Sequence, residues 1–573
     1  MGRSGAVHVA KVVSRQKGRE YVSYLLRRSY REDGKVKHET LGNISRLPEP
    51  VIDLVRRALR GEQLVPAGEA FTVERSLPHG HVAAVVGVLR ELGLERILGR
   101  ERTRERDLVI GLICQRTLAP GSKLSATRRF SQTTLGESLD IDGASERELL
   151  GAMDWLLARQ ERVERKLAER HLEPGGMVLY DLSSSYVEGR CCELAHLGYS
   201  RDGKKGKLQV NYGLVCAPDG RPIAVEVFDG STSDPKTLPA AVDKIVERFG
   251  IRDVIFVGDR GMITQTHVDT LKERDLRFVT ALKSGQIRAL VDEGVLQLSL
   301  FDETNLAEIT SDAHPGERLV VCRNPNVAAE RTRKRDALLN ATDAELATVK
   351  RMVESPRGKL RTADAGAIGE RVGRVVNKYK MAKHYEIAIT DGAFGYTRKH
   401  EQIEREAALD GIYIVRTNVD AQRLPTADVV HTYKQLAQAE RAFKTLKSVD
   451  LEVRPIHHHL EDRVRSHIFL CMLAYYVQYE LRARLAPLLY TDEHPAPQPD
   501  PVAKAHRSKS ADRKAATHTT TDGLPAHSFR DLLSDLATLT RNTIGLPDGH
   551  TFTQLTQATP IQARAFQLLG LKP

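Results

Sequence analysis

Two aspartates stand where a metal-dependent phosphoryl transfer could be built. Met177, Val178, Leu179 and Tyr180 form a short apolar run that stops at Asp181, and Val254 to Val257 runs through Gly258 into Asp259. Acids at the ends of neighbouring strands suit hard cations such as Mg²⁺, which take carboxylate oxygens and keep waters for chemistry. Each aspartate alone also reads as a turn former, because Asp181-Leu182-Ser183-Ser184 and Asp259-Arg260-Gly261 both make good turns. A third acid, Glu440, lies far downstream in a helix expected over about residues 428–448. There Tyr433, Leu436, Glu440, Phe443 and Lys447 fall on one arc about 80° wide, at about 100° per residue. Glu440 is then expected to point with the apolar face toward the sheet, where an acid needs a cation or a buried partner. A solvated edge position, or a surface pair with Lys444, accounts for it as well.

The elements that must position these acids are legible around them. Lys207 to Val215 reads as a strand, Pro218 to Pro222 carry turn chemistry, and Ile223 to Phe228 reads as the returning strand. Leu238, Ala241, Val242, Ile245, Val246 and Phe249 recur at helical spacing until Gly250 stops the helix. A hairpin followed by a helical crossover places the Asp259 strand parallel to and near the Asp181 strand. Asp181 and Asp259, separated by 259 − 181 = 78 positions, then come within reach of shared metal ions.

Composition bounds the kind of machine. The chain has 573 residues, too many for one ordinary core, and three or four domains are expected. Its 86 Lys and Arg against 75 Asp and Glu give a formal charge of +11, which favours a polyanionic partner. Six cysteines include no CxxC pair and no zinc spacing, which fits reduced thiols in a cytoplasmic protein. The first ten residues lack an apolar signal region and no run of about 18 apolar residues occurs, so neither secretion nor membrane spanning is expected.

In chain order, Ala6 to Val13, Tyr21 to Tyr30 and Val36 to Leu41 read as a small basic β unit with an Asp33-Gly34 hairpin. A short helix over Leu47 to Gly61 and a Pro66 to Gly68 break follow. From about His81 to His171 the spacing is helical, and Lys123, Arg128 and Arg129 beside Gly121-Ser122 form a corner suited to phosphate, or ordinary exposed charges. Gly198, Gly203 and Lys204 match the opening of a P-loop, but Lys205 replaces the Ser or Thr and a strand follows instead of a helix, which excludes ATP binding there. Leu276 to Leu282 reads as a further strand, the charged stretch after it as an insertion, and Ile412 to Val415 as a return to the sheet. Arg454, His457, His458, His459, Arg463 and Arg465 make a basic stretch before an apolar helix at Ile468 to Tyr476. Pro487 to Gly523, with Pro495, Pro497, Pro499 and Pro501 in alternation, reads as a linker, and Phe529 to Leu571 regains helical spacing.

On Tyr180-Asp181-Leu182-Ser183, on Val257-Gly258-Asp259-Arg260-Gly261, and on Tyr433, Glu440 and Lys447, the chain resembles DDE transposases of the IS4 superfamily, closest to the IS1634-like branch. The Tyr-x2-Arg-x3-Glu-x6-Lys signature is met at Tyr433, Glu440 and Lys447, while Leu436 stands where arginine is typical and Ser183 where threonine is more common. The resemblance implies an α/β chain with an RNase H-like catalytic core whose Asp181, Asp259 and Glu440 hold two Mg²⁺ ions, with Mn²⁺ able to substitute. It also implies double-stranded DNA, transposon ends and target, as partner, and a homodimer in the DNA complex. The expected DNA contacts are Tyr433, Lys444, Lys447, Arg260, Arg463 and Arg465. The expected division is a β unit to residue 70, a helical subdomain at 71–175, core parts at 176–285 and 411–485 around an insertion at 286–410, a linker at 486–525 and a helical tail at 526–573. The activity so implied is cleavage of insertion-sequence ends and joining of the 3′-OH to target DNA. A nuclease without strand joining, and a non-catalytic DNA-binding derivative, are the alternatives.

Overall fold

The computed structural model describes residues 5–16, 18–62, 71–189, 191–302, 304–448, 450–495, 500–503, 505–547 and 549–573. Pro497 and Pro499 of the expected linker, and the break at Pro66 to Gly68, lie outside the described residues. The chain forms two compact units, one of residues 1–76 with 541–556 and one of residues 77–540 with 557–573.

In the smaller unit, β1 (Ala6–Gln16), β2 (Arg19–Glu32) and β3 (Lys35–Asn43) form an antiparallel meander. Asp33 and Gly34 close its second hairpin with φ of 48° and 73°, the left-handed pair that a two-residue turn requires. The helix Glu49–Leu59 follows with Ile52 as its buried residue. A second sheet joins β4 (Thr72–Pro78) to two strands from near the chain's end.

In the larger unit, helices Gly80–Glu91, Arg104–Leu118, Glu146–Leu157 and Gln160–His171 precede an eight-stranded sheet. The helix Glu461–Arg484 is apolar over its whole middle and buried there from Ser466 to Gln478. It runs between the helices Arg104–Leu118 and Glu146–Leu157 on one side and the sheet on the other. The sheet begins with β5 (Met177–Tyr186), β6 (Gln209–Cys216) and β7 (Pro222–Asp229), successively antiparallel. The crossover then delivers β8 (Ile255–Gly258) parallel to β5, and β9 (Arg277–Ala281) parallel to β8. An order of β7-β6-β5-β8-β9, three antiparallel strands and then two parallel ones, is the RNase H-like arrangement. All eight residues of β6 are buried, as befits a strand covered on both faces.

The sheet does not stop at β9. β10 (Leu306–Ile309) and β11 (Arg318–Arg323) continue it through β14 (Ile412–Thr417), giving the edge order β10-β11-β14-β9. The stretch expected as an insertion from residue 286 therefore contributes its first third to the main sheet. The true excursion starts at the helix Pro325–Glu354 and includes the helix Ala365–Tyr379 and a hairpin of β12 (Tyr385–Thr390) and β13 (Ala393–Arg398). It has a core of its own, built on Leu339, Leu346, Val372, Val376, Tyr385 and Phe394.

Two other expectations change. The stretch read as a linker carries the helix Lys509–Thr517, whose Lys514 is buried and donates to the carbonyls of Ala486 and Leu489 and to Glu493. The tail expected to be helical contains β15 (Thr540–Gly545), which neighbours β4, and β16 (Thr551–Leu555), which pairs with β15, between the helices Phe529–Ala537 and Pro560–Leu569. Strand pairing of β15 with β4, at least 540 − 78 = 462 positions away, overrides the local helical spacing there. Among the described residues no helix is long and apolar enough to cross a membrane.

Candidate active site

Asp181 does not end its strand. It lies within β5, opposite Leu214 of β6, and the strand continues to Tyr186. What ends is the parallel pairing with β8, whose last partners are Tyr180 and Gly258. One position further, Asp181 and Asp259 therefore stand side by side on adjacent strands, which run about 4.8 Å apart. Tyr180 faces the other way, buried, with its hydroxyl donating to the Thr237 carbonyl at 3.2 Å. Its ring leaves no room for a side chain at Gly213, where a Cβ would come 2.3 Å from the phenol oxygen.

Asp259 is exposed at the strand end. Its carbonyl accepts from Met262 and Ile263 at 3.0 Å and its Oδ2 accepts from Gly261 N–H at 3.2 Å, so the turn after β8 holds the carboxylate. Tyr433 donates its hydroxyl to Asp259 Oδ1 at 3.4 Å. Burial raises the Tyr433 pKa most, with the Asp259 charge next. Asp181 is half-buried and accepts from Leu182 N–H at 2.8 Å. Its carboxyl is pushed up to about 6, first by burial and then by the charges of Glu440 and Asp259, while Arg201 opposes the shift. The three acids thus feel one another across the same end of the sheet.

The third acid arrives differently from its expected place. The single helix expected over residues 428–448 is two, Thr426–Lys434 and Leu436–Lys447, which meet at Gln435. The second packs on β5 and on Glu461–Arg484 through Ala439, Ala442, Phe443 and Leu446, with Phe443 edge-on to Tyr212 of β6 at 5.7 Å between ring centres. Glu440 stands at the margin of that stripe and is exposed instead of core-facing, and its charge bears on Asp181.

The other residues expected at the site divide into groups. Arg260 follows Asp259, is exposed and adds positive potential beside Tyr433, and Lys444 is exposed on the Glu440 helix. Lys447 is largely buried and ion-paired with Asp202 at 2.9 Å. Arg463 lines a cavity with Lys123. Arg465 is not directed at the acids: it binds Glu461 at 2.6 Å and the Val227 carbonyl at 2.8 Å. Two residues had no sequence signal. Arg201 is ion-paired with Asp234 and bears on Asp181, and Asp202, with a wholly buried side chain, pairs with both Lys447 and Arg454. They sit in the loop before β6 that reads simply as a basic hairpin approach, and only the fold places them under the Glu440 helix.

Three carboxylates without cysteine or histidine are the donor set of a hard, oxygen-seeking cation, and their mutual repulsion is what such a cation relieves. The residues fit a divalent metal in kind. Among the described residues no three His, Cys, Asp or Glu side chains close into a ready cage, so the acids converge without being clenched.

An RNase H-like sheet with acids where the parallel pairing of its two central strands ends is the arrangement of a polynucleotidyl-transferase class of protein. Residues 183–477, just over half of the chain, match the transposase DDE domain family, and the chain belongs to it. The match begins two positions after Asp181 and spans Asp259 and Glu440. Residues 9–67 match the N-terminal domain of IS1634 family transposases, which places the chain in that branch. Among solved structures, a cryo-EM structure of a piggyBac transposase synaptic complex with hairpin DNA aligns over 80% of this chain and 76% of its own. At 9% identity and a TM-score of 0.32 that likeness is too loose to carry residue correspondences. A search of curated protein sequences finds no match.

Proposed function

We propose that this transposase cleaves the ends of an insertion sequence and joins the freed 3′-OH to target DNA, with Asp181, Asp259 and Glu440 as its catalytic carboxylates. The observation that carries the reading is the convergence of Asp181 and Asp259 one step past the last paired residues of β5 and β8, with Tyr433, just ahead of the Glu440 helix, bonded to Asp259. Two Mg²⁺ ions, or Mn²⁺ in their place, held by these carboxylates would supply a nucleophilic water and stabilisation of the leaving oxygen. The chain's own part is positioning. Tyr433 and the Gly261 N–H fix the Asp259 carboxylate, the docked helix brings Glu440 to the cleft, and exposed Arg260 and Lys444 offer charge to DNA phosphates. No protein nucleophile is required.

The test pairs two measurements on Asp181→Asn, Asp259→Asn and Glu440→Gln. Each variant should lose Mg²⁺-dependent cleavage and joining of a duplex carrying the element's terminal repeats, and should bind Mn²⁺ more weakly by calorimetry, while duplex affinity stays within about threefold. A variant that retains near-normal cleavage removes its residue from the site. Cleavage without any joined product would leave a nuclease, and no metal binding by the wild type would leave a non-catalytic DNA-binding protein.

A further inference from the structure

Two basic stretches far apart in sequence, Gly121 to Lys123 and Arg454 to Arg463, meet around one cavity of about 650 Å³. Arg116 and Lys123 come from the helical layer, Arg454 and Arg463 from the chain after the Glu440 helix, and His458 and His467 complete the wall. Lys123 is only 5% exposed and Arg116 only 6%. Burying a cation is tolerable when a carboxylate meets it, and among the described residues neither has one. Arg116 spends its guanidinium on the carbonyls of Leu451, Glu452 and Gly121. His467 Nε2 donates to the Val453 carbonyl at 3.0 Å, so its Nδ1 is the acceptor that faces Lys123 Nζ at 3.3 Å. Lys123 thus rests on a neutral imidazole. Arg463 is ion-paired with the half-exposed Asp154 at 3.6 Å, beyond hydrogen-bond distance, and its buried Nε has no hydrogen-bond partner. The two acids of the wall, Glu146 and Glu452, are exposed and pair with neither buried cation.

We propose that this cavity is a built anion site that takes a phosphate group, with Lys123 and Arg463 as its direct ligands and Arg116 as a fixed positive charge behind them. A phosphate presents acceptor oxygens on several sides together with negative charge, which matches an ammonium and a guanidinium fork lining one cavity. Burial first, and neighbouring cations next, pull the Lys123 ammonium down to about 7 and His458 to about 3. An entering anion reverses that penalty. The cavity is coupled to the Glu440 helix, because Asp202 pairs with Lys447 of that helix and with Arg454 of the cavity wall. Resting on the DNA-handling reading above, the phosphate is one of the DNA backbone; free phosphate is the other source of the same chemistry.

The experiment uses the full chain with two probes, inorganic phosphate by calorimetry and a 30-base-pair duplex across a salt series. Lys123→Met and Arg463→Gln are compared with the wild type, and the second, at a partly exposed position, guards against a variant that fails to fold. For a backbone phosphate, each variant should weaken duplex binding about tenfold and lower the slope of log K against log salt by about 1, and phosphate should compete with the duplex in the wild type alone. Phosphate binding lost in both variants, with duplex affinity and slope unchanged, keeps the site and assigns it to free phosphate. Phosphate that fails to bind the wild type, together with unaltered duplex binding by both variants, overturns the proposal. Should the wild type bind no duplex at all, the DNA-handling reading fails and the phosphate titration alone decides the cavity.

Discussion

Lys447 illustrates how much a single neighbour changes a residue's expected work. As a free cation near the acids it would release about one counterion on meeting a phosphate. Paired with a buried Asp202 that also holds Arg454, its charge is already spent inside the protein. Lys447→Ala should therefore lower the salt slope of duplex binding by less than about 1, whereas Asp202→Asn, which leaves both cations uncompensated, should steepen it by about 1. Equal slopes in wild type, Lys447→Ala and Asp202→Asn would show that neither cation reaches DNA. Tyr433→Phe removes one hydrogen bond to a carboxylate and leaves the ring in place, so it should weaken Mn²⁺ binding several-fold without altering the thermal midpoint by more than a few degrees.

At the scale of elements, the Glu440 helix is the part on which the site turns. It is held to the sheet by a stripe of four buried side chains, and Phe443 is the largest of them. Phe443→Ala should cost about 3–5 kcal/mol of local packing. The cost should appear as lost cleavage before lost DNA binding, because the aspartates ride on strands that do not depend on the helix. Phe443→Leu should recover most of the activity. If Phe443→Ala cleaves like the wild type, the helix is not what places Glu440. A second element-level case is the crossover after β7, where buried Lys244 meets Glu164 at 2.9 Å and Glu226 at 2.8 Å. Lys244→Ala strands a buried carboxylate and should destabilise strongly, by about 3–5 kcal/mol, while Lys244→Met with Glu164→Gln should restore much of the loss. Thermal midpoints of the three variants check this.

At the scale of the whole molecule, buried histidines set the acid limit. His81 is held at about 4 by burial and by His79, and its Nδ1 has no partner. Burial likewise holds His171 at about 4 and His467 well below the usual range. A histidine whose folded pKa lies below its unfolded value of about 6.5 binds fewer protons when folded, so stability is full above about 6.5 and falls as pH drops toward 4. For His81 alone the loss is on the order of 3 kcal/mol. The thermal midpoint should fall steeply between pH 6.5 and 4.5, and His81→Leu should flatten part of that slope. A midpoint indifferent to pH over this range would mean that these histidines bind protons alike in the folded and unfolded chain.

The sequence by itself determined the strands that carry the aspartates, the crossover between them and the basic small unit, because alternation, turn residues and helical spacing are local signals that short segments express on their own. Apolar runs leading into Asp181 and Asp259 were visible for the same reason. Only the tertiary structure decided what those signals leave free. Asp181 proved to be mid-strand because β6 continues to pair with it beyond the reach of β8, and Glu440 proved to be exposed because its helix docks through Ala439, Ala442, Phe443 and Leu446, a stripe that leaves Glu440 at its margin. β11 joined the sheet through β14, bringing β10 with it, and β15 paired with β4, bringing β16 with it, through hydrogen bonds to strands distant in sequence, which no local window contains. Asp202 under Lys447, and Lys123 and Arg463 lining one cavity, are likewise products of distance closed by folding: charge can be counted along a chain, but which charges share a low-dielectric space is fixed only when the layers meet.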